Sequence, residues 1–454
     1  MPELPRLAVG TIQPEADIQP ILWSLMESLR RDGLQIQSFM SRACFTKCAE
    51  TATVTGLHPR HLDSWLMSRE MCREVFVHGT QTADLAVVQG CFDPAPDSPD
   101  VGGKLGTLCQ WLDLPRLVVL DAAQLDGGGL PKRPDRADGN GADGLLLDRV
   151  NDEKHLAQLS AELEANWGVP VLGALETLPR LREAVDAVPR GSRLPEDLGR
   201  QLADQFTRHW KRQPIYDTTL GRERLETDHC LFRADSKGGK LTVAVAYDEV
   251  FNCYFPDVLD MLEICGAEVV DFSPLRDEVL PPDTDLVYIG CGHPERYLTE
   301  LSENHCMKAA LRDHLRQGRR VYGEGGGLAY LCEQLITVDG LCGRMAGIFP
   351  ALAWLSPSNV PPKPVEVTLE KASWLGEAGT RLRGYRNPNW HLEAAGPLLG
   401  ISREDDQPYD LVASGQAIGS QLHFDFAVQA ESFRHFFHPN SCSDKAPALW
   451  TSAP

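Results

Sequence analysis

At 454 residues the chain is long enough for two domains of ordinary size, each with its own core. Its 43% hydrophobic and 24% charged residues are those of a globular protein. The formal net charge of −20 excludes nucleic acid or an anionic membrane as the main partner, because binding phosphate needs a basic face. The thirteen cysteines are odd in number and never spaced C-x-x-C, which fits reduced thiols in a cytoplasm better than a disulfide framework. The N-terminus carries no secretory signal, and no apolar run approaches the roughly 20 residues that a membrane span needs.

In chain order, residues 7–10 predict a buried first strand, and a helix is expected from Asp17 to Arg31 with Ile18, Ile21, Leu22, Leu25 and Leu29 on one face. Leu34 to Phe39 predicts a second strand. Short β-branched runs follow at Asp84 to Gln89, Arg116 to Asp121, Leu145 to Val150 and Val169 to Leu175. Cys44 and Cys48 are the nearest approach to a metal-ligand pair, and no metal site is expected there. Residues 122–144, rich in glycine, proline and charge, are expected to be a solvent loop, and a helix is expected from Glu196 to Trp210. The boundaries expected are a first domain at 1–211, a linker at 212–239, a second domain at 240–437 and a tail at 438–454. The second α/β series starts at Leu241 and continues with Ala267 to Phe272 and Asp285 to Gly290; later strands are expected near Val365, Thr380 and Ser420. Alternating β and α units of this kind give an α/β fold class, two doubly wound three-layer domains with helices on both faces of each sheet.

The stretch that organises the second half is Val321 to Glu333, VYGEGGGLAYLCE. A β-prone segment runs into Glu324 and the glycines Gly325, Gly326 and Gly327, followed by Leu328, Leu331 and Leu335 at helical spacing. Strand, sharp turn and helix in that order form a nucleophile elbow, where glycines admit close backbone approach and positive φ. Yet the turn holds no nucleophile.

Segments from Leu7 to about Ala430 resemble, in order and spacing, the cobyrinic acid a,c-diamide synthase family. The resemblance rests on RHLDSWLM at 60–67, ADLAVVQG at 83–90, GVPVLGAL at 168–175, VAVAYD at 243–248, GCGHPE at 290–295, the elbow, GTRLRG at 379–384 and Leu422-His423. It implies a P-loop-NTPase-like domain similar to dethiobiotin synthetase joined to a class I-type glutamine amidotransferase domain. It also implies an activity: ATP with Mg²⁺ activates corrin carboxylates in cobalamin biosynthesis, and ammonia from glutamine forms the amides.

Residue by residue, both sites depart from the family pattern. The phosphate loop, approximately G-T-x-S-G-x-G-K-T-T, becomes Gly10 to Gln19: Gly10 and Thr11 survive, Pro14 offers no N–H, and Asp17 and Ile18 stand at the lysine and metal-hydroxyl positions. A carboxylate about 4 Å from a phosphate oxygen costs roughly 4 kcal/mol where lysine would gain as much, at an effective dielectric near 20. Glu15 adds to the repulsion, and Asp17 is better suited to cap the following helix. Met40, Cys44 and Lys47 replace a lysine and two aspartates, Gln89 replaces an acidic metal ligand, Asp148 replaces an adenine-reading asparagine, and Phe92-Asp93 ends a shortened loop.

In the glutaminase site Gly325 stands where the thiol belongs, His423 aligns with the general base, and Gly290, Cys291 and Gly292 match the oxyanion loop. Tyr385, Arg386, Asn387 and Pro388 replace an H-E-F-H motif. Two other thiols could substitute: Cys291, expected to be the more exposed, and Cys332, expected to point into packing two turns down the elbow helix. His423 is either a core histidine or a residual pocket residue, and His435 with His438 lacks a carboxylate partner for a metal. The expected function is a catalytically silent member, or pseudoenzyme, acting as a scaffold, a corrinoid- or tetrapyrrole-binding protein, or the partner of an active paralogue or of a second copy of itself as a homodimer. The alternative is an active ATP-dependent amidoligase using ammonia or glutamine, and a structural subunit docking a basic partner is the third.

Overall fold

The computed structural model describes residues 4–13, 16–45, 48–92, 102–125, 130–131, 141–189, 191–228, 230–233, 241–356, 362–395, 399–400 and 410–437. Pro14, Glu15, Lys47, Asp93, most of 122–144, His438 and the 438–454 tail lie outside them. The chain divides into two compact units, 1–42 with 46–229 and 43–45 with 230–454.

In the first unit the strands are β1 (Arg6–Thr11), β2 (Ile36–Met40), β3 (Arg60–His61), β4 (Leu85–Cys91), β5 (Arg116–Asp121), β6 (Gly144–Val150) and β7 (Val171–Glu176). They form one sheet in the order β3-β2-β4-β1-β5-β6-β7, with every pairing parallel. β1, β2 and β5 are buried along their whole length. A parallel sheet covered on both faces demands that, which is why its strands read as continuous apolar runs. The helix Gln19–Arg31 packs Ile21, Leu22, Leu25 and Leu29 into this core. It starts two residues later than expected, because Asp17 precedes it and accepts a hydrogen bond from the Gln19 N–H at 3.1 Å. The span expected as a linker begins instead with a helix, Arg212–Thr219, whose Ile215 is buried in the first unit's core. Farther on, the Glu223 carbonyl accepts from the buried Arg6 guanidinium at 2.6 Å. Apolar anchorage at Ile215 holds to the first unit a stretch that composition alone marks as a connector.

The second unit has β8 (Thr242–Ala246), β9 (Phe251–Cys253), β10 (Glu268–Phe272), β11 (Leu286–Ile289), β12 (Cys291–Gly292), β13 (Arg320–Glu324), β14 (Cys332–Ile336), β15 (Cys342–Arg344), β16 (Phe349–Leu355), β17 (Lys363–Thr368), β18 (Arg381–Arg386), β19 (Trp390–Ala394), β20 (Leu399–Gly400), β21 (Leu411–Ser414), β22 (Ala417–Ser420) and β23 (Leu422–His423). The main sheet runs β10-β8-β11-β13-β22-β21-β20, parallel from β10 to β22 and closed by antiparallel β21 and β20. Smaller sheets, β12-β9, β15-β14-β16-β19 and β17-β18-β23, carry the rest.

The elbow helix is shorter than its apolar spacing suggests. It spans Gly326–Leu331, and Cys332 opens a strand instead of lying two turns into a helix. β14 pairs in parallel with β16 and antiparallel with β15, and this pairing captures the backbone that would otherwise continue the helix. Cys332 is buried, as expected, but its thiol donates to the Leu328 carbonyl at 3.3 Å.

Gly327 fixes the elbow against the neighbouring strand. A Cβ there would lie 2.2 Å from the Ile289 carbonyl oxygen and 2.7 Å from that of Gly290. Both obstacles are backbone, so no rotamer relieves them. Gly327→Ala is expected to destabilise the protein by about 3 kcal/mol, which urea unfolding followed by circular dichroism will measure; an unchanged midpoint would show that the elbow can shift.

Candidate functional site

Three adjacent parallel strands, β11, β13 and β22, end on the same side of the second unit's sheet, where open α/β sheets hold their ligands. β11 leads into Gly290, Cys291 and Gly292, β13 into Glu324 and Gly325, and β22 through Gln421 into β23 and His423. Gly325 sits at φ +54° and ψ −114°, a geometry open to glycine that would strain any residue with a side chain at this apex. The structure thus gathers Glu324, Gly325, the 290–292 loop and His423 at one place.

The structure sets one thiol of that site, Cys291, directly against the apex. A Cβ built on Gly325 would lie 3.0 Å from His423 Cε1 and 3.1 Å from Cys291 Sγ. The sulfur of Cys291 thus borders the place that a side chain at the apex would take. It lies 2.6 Å from His423 Nδ1 and 3.7 Å from Glu324 Oε1. Contrary to the expectation of an exposed thiol, Cys291 is 6% accessible, because the first turn of the elbow helix covers its loop: a Cβ on Gly326 would lie 2.6 Å from the Gly292 carbonyl oxygen.

Burial sets the protonation of this trio. Loss of solvent pushes the Cys291 thiol well above its ordinary range, helped by the Glu324 carboxyl. It lowers the His423 imidazole to about 4 and raises the Glu324 carboxyl to about 8. Near neutral pH burial thus favours the uncharged form of all three, with the sulfur in contact with both Nδ1 and the Glu324 carboxyl. An attacking cysteine needs the opposite, a thiolate held by an imidazolium. Of the oxyanion loop, the Gly290 N–H is committed to the Tyr254 hydroxyl oxygen at 2.9 Å. The Gly325 N–H donates to the Ser420 carbonyl at 2.9 Å.

Sequence reasoning missed the cage around Glu324. Tyr322 Oη donates to Oε2 at 3.1 Å and Tyr288 Oη to Oε1 at 3.4 Å. Tyr288 and Tyr322 are register partners on β11 and β13, and Glu324 follows Tyr322 by two, on the same face. That i, i+2 spacing was a usable signal. His435 lies on a separate helix, Ala430–Phe437, and is not part of this site.

In the first unit, Gly10 and Thr11 close β1, Gln89 lies near the end of β4, and Asp148 lies near the end of β6 beside Asp121. Together with Asp17 they gather at the carboxyl ends of the sheet. Their charged groups are paired, whereas Gln19 Oε1 and Gln89 Nε2 are buried without a partner among the described residues. Arg149 forks onto Asp121, with Nε donating to Oδ1 at 2.7 Å, and Arg182 pairs with the buried Asp148. Burial outweighs that arginine and holds the Asp148 carboxyl up at about 6. Gln19 Nε2 donates to Gln89 Oε1 at 3.3 Å, and Gln13 Oε1 accepts from the Asp121 N–H at 2.7 Å. Ile18 is buried in the core and offers no hydroxyl. Among the described residues, Arg149 and Arg182 at these strand ends are engaged by aspartates, and Asp17 and Ile18 offer neither a cation nor a hydroxyl, a set that does not fit Mg²⁺–ATP.

Comparison with known proteins gives the following. Residues 242–429 match the model of a CobB/CobQ-like glutamine amidotransferase domain. A cobyrinate a,c-diamide synthase of Syntrophotalea carbinolica is 30% identical over 396 residues, 84% of this chain and 85% of that protein. Its counterpart in Priestia megaterium is 26% identical over 80% of each chain. That of Synechocystis is 29% identical over 92% of this chain and 89% of the relative.

Two outcomes are expected of this site. Gly325→Cys alone crowds Cys291 and His423, costs about 1–3 kcal/mol and leaves glutamine unhydrolysed. Gly325→Cys with Cys291→Gly removes the obstruction and yields measurable ammonia release; a double variant as inert as the single would show that His423 too has drifted. The second outcome follows from the lowered His423. In chelator-treated protein the unfolded ring takes up a proton below about 6.5 while the folded ring stays neutral until about 4. Stability is therefore expected to fall by about 3 kcal/mol as pH drops through that window, and denaturant midpoints of His423→Gln should show a flatter profile.

Proposed function

This chain belongs to the cobyrinate a,c-diamide synthase family, and from that membership we propose that it is a catalytically silent member, a two-domain scaffold that binds a corrinoid-class ligand or an active relative. The observation that carries the reading is Cys291: its sulfur borders the apex position, 2.6 Å from His423, while the apex itself is glycine. A thiol at the apex would sit on the helix's first turn, facing a substrate carbonyl. The thiol at Cys291 is instead buried, neutral and directed at the base.

The nucleotide position supports the same reading. The family's chemistry needs a lysine and a metal-binding hydroxyl, and this chain supplies Asp17 and Ile18. Asp17 accepts from the Gln19 N–H, so a carboxylate takes the role at the helix start that a phosphate would otherwise fill. Meanwhile both sheets keep fully buried central strands, so loss of the chemistry has not loosened the fold.

The test is direct. Full-length protein incubated with glutamine, Mg²⁺–ATP and cobyrinate is expected to release neither ammonia nor ADP above a protein-free blank, and calorimetry with Mg²⁺–ATP is expected to show no saturable heat. Turnover with free ammonia in place of glutamine would establish the active-amidoligase alternative. Retention of visible corrinoid absorbance through gel filtration separates ligand binding from a purely protein-docking role.

A further inference from the structure

We propose that Cys291, Glu324 and His423 form a buried binding site for a divalent metal ion of the zinc class. The three residues come from separate strand ends, and one ligand atom of each lies within 4.8 Å of the others. All three are shielded from solvent, at 6%, 0% and 3% accessibility. The site lies where the family's glutaminase chemistry would be, but its assignment stands whether or not the chain retains any ligase activity.

The geometry suits a tetrahedral ion closely on one edge and after a small adjustment on another. With zinc–sulfur at about 2.3 Å and zinc–nitrogen or zinc–oxygen at about 2.0 Å, ligand atoms of a tetrahedral site stand roughly 3.5 Å apart. Cys291 Sγ and Glu324 Oε1 are 3.7 Å apart. Cys291 Sγ and His423 Nδ1, at 2.6 Å, open by about 1 Å as both turn toward a shared ion in place of a shared proton. A thiolate, an imidazole and a carboxylate together select zinc or cobalt over magnesium or calcium, which take oxygen sets.

Charge closes the case. One thiolate and one carboxylate carry two negative charges, so a dication leaves the buried cluster neutral, as burial requires. The outer shell is also built: Tyr322 Oη holds Glu324 Oε2 at 3.1 Å, while Oε1, which accepts from Tyr288 Oη at 3.4 Å, faces the sulfur with its remaining lone pair. Such a partner fixes the orientation of a ligating carboxylate. Gly325 contributes no side chain to this corner, where a Cβ would come within 3.1 Å of the sulfur.

The experiment uses full-length protein prepared without affinity-tag histidines or chelator. Mass-spectrometric elemental analysis is expected to find one zinc per chain. After chelation, Co²⁺ is expected to restore saturable binding with tetrahedral d–d bands and a thiolate-to-cobalt charge-transfer band in the near ultraviolet. Cys291→Ser should abolish the charge-transfer band, while Cys342→Ser, an exposed thiol elsewhere, should leave it intact. Tyr322→Phe should weaken Co²⁺ binding roughly tenfold without removing the band. A folded wild-type protein that shows no saturable cobalt band overturns the proposal, and so does a band of full strength in Cys291→Ser. Because the wild-type spectrum alone can refute the assignment, a variant that fails to fold does not shelter it.

Discussion

The contact of the elbow helix with the loop after β11 is the constraint on which the second unit depends. Gly326 and Gly327 lie against the carbonyl oxygens of Gly292, Ile289 and Gly290, at distances that leave no room for a Cβ. This packing of backbone on backbone has two effects. It holds Gly325 in its positive-φ conformation, and it covers the Cys291 loop beneath the helix, where the thiol lies against Glu324 and His423. In an enzyme the same contact would present an apex side chain to substrate. Here the apex is empty of side chain, and the facing loop supplies the sulfur.

Both candidate sites share an electrostatic character: their ionisable groups answer to one another. In the first unit Arg149 faces Asp121 and Arg182 faces Asp148, each aspartate buried at a strand end. In the second, two tyrosine hydroxyls and a thiol surround a fully buried glutamate. Removing one partner from such a group strands the other, at a cost of about 3–5 kcal/mol for a buried ion pair. A phosphate entering the first site would have to break arginine–aspartate pairs, and a substrate carbonyl entering the second would meet a neutral thiol. Retained shape and altered chemistry are compatible because the apolar strands, not these polar ends, supply most of the stability.

Cys291 illustrates how one substitution changes the meaning of neighbours that have not changed. His423 stands where the family resemblance would put a general base, and Glu324 precedes the apex. With glycine between them, neither has an apex nucleophile to serve. What the pair offers instead is two of the three protein ligands of the proposed metal site, the facing cysteine being the third and the fourth tetrahedral position being left to water.

Much of this protein is written locally. Continuous apolar runs such as 85–88 and 117–120 can only be strands buried on both faces, so the α/β class and the order of elements follow from the chain alone. The losses at Gly325, Asp17 and Ile18 are equally local, being a matter of which atoms a residue carries. Three features needed the tertiary structure. The helix after the elbow ends at Leu331 because β14 is claimed by β15 and β16, strands whose pull no spacing of leucines reveals. The stretch after residue 211 belongs to the first core because Ile215 is buried there, although its composition is polar. Finally, Cys291 and His423 are 132 residues apart in the chain and 2.6 Å apart in space. Sequence fixes what each side chain can do, whereas only the parallel order β11-β13-β22 decides which of them meet, because strand neighbours are chosen by packing over the whole sheet.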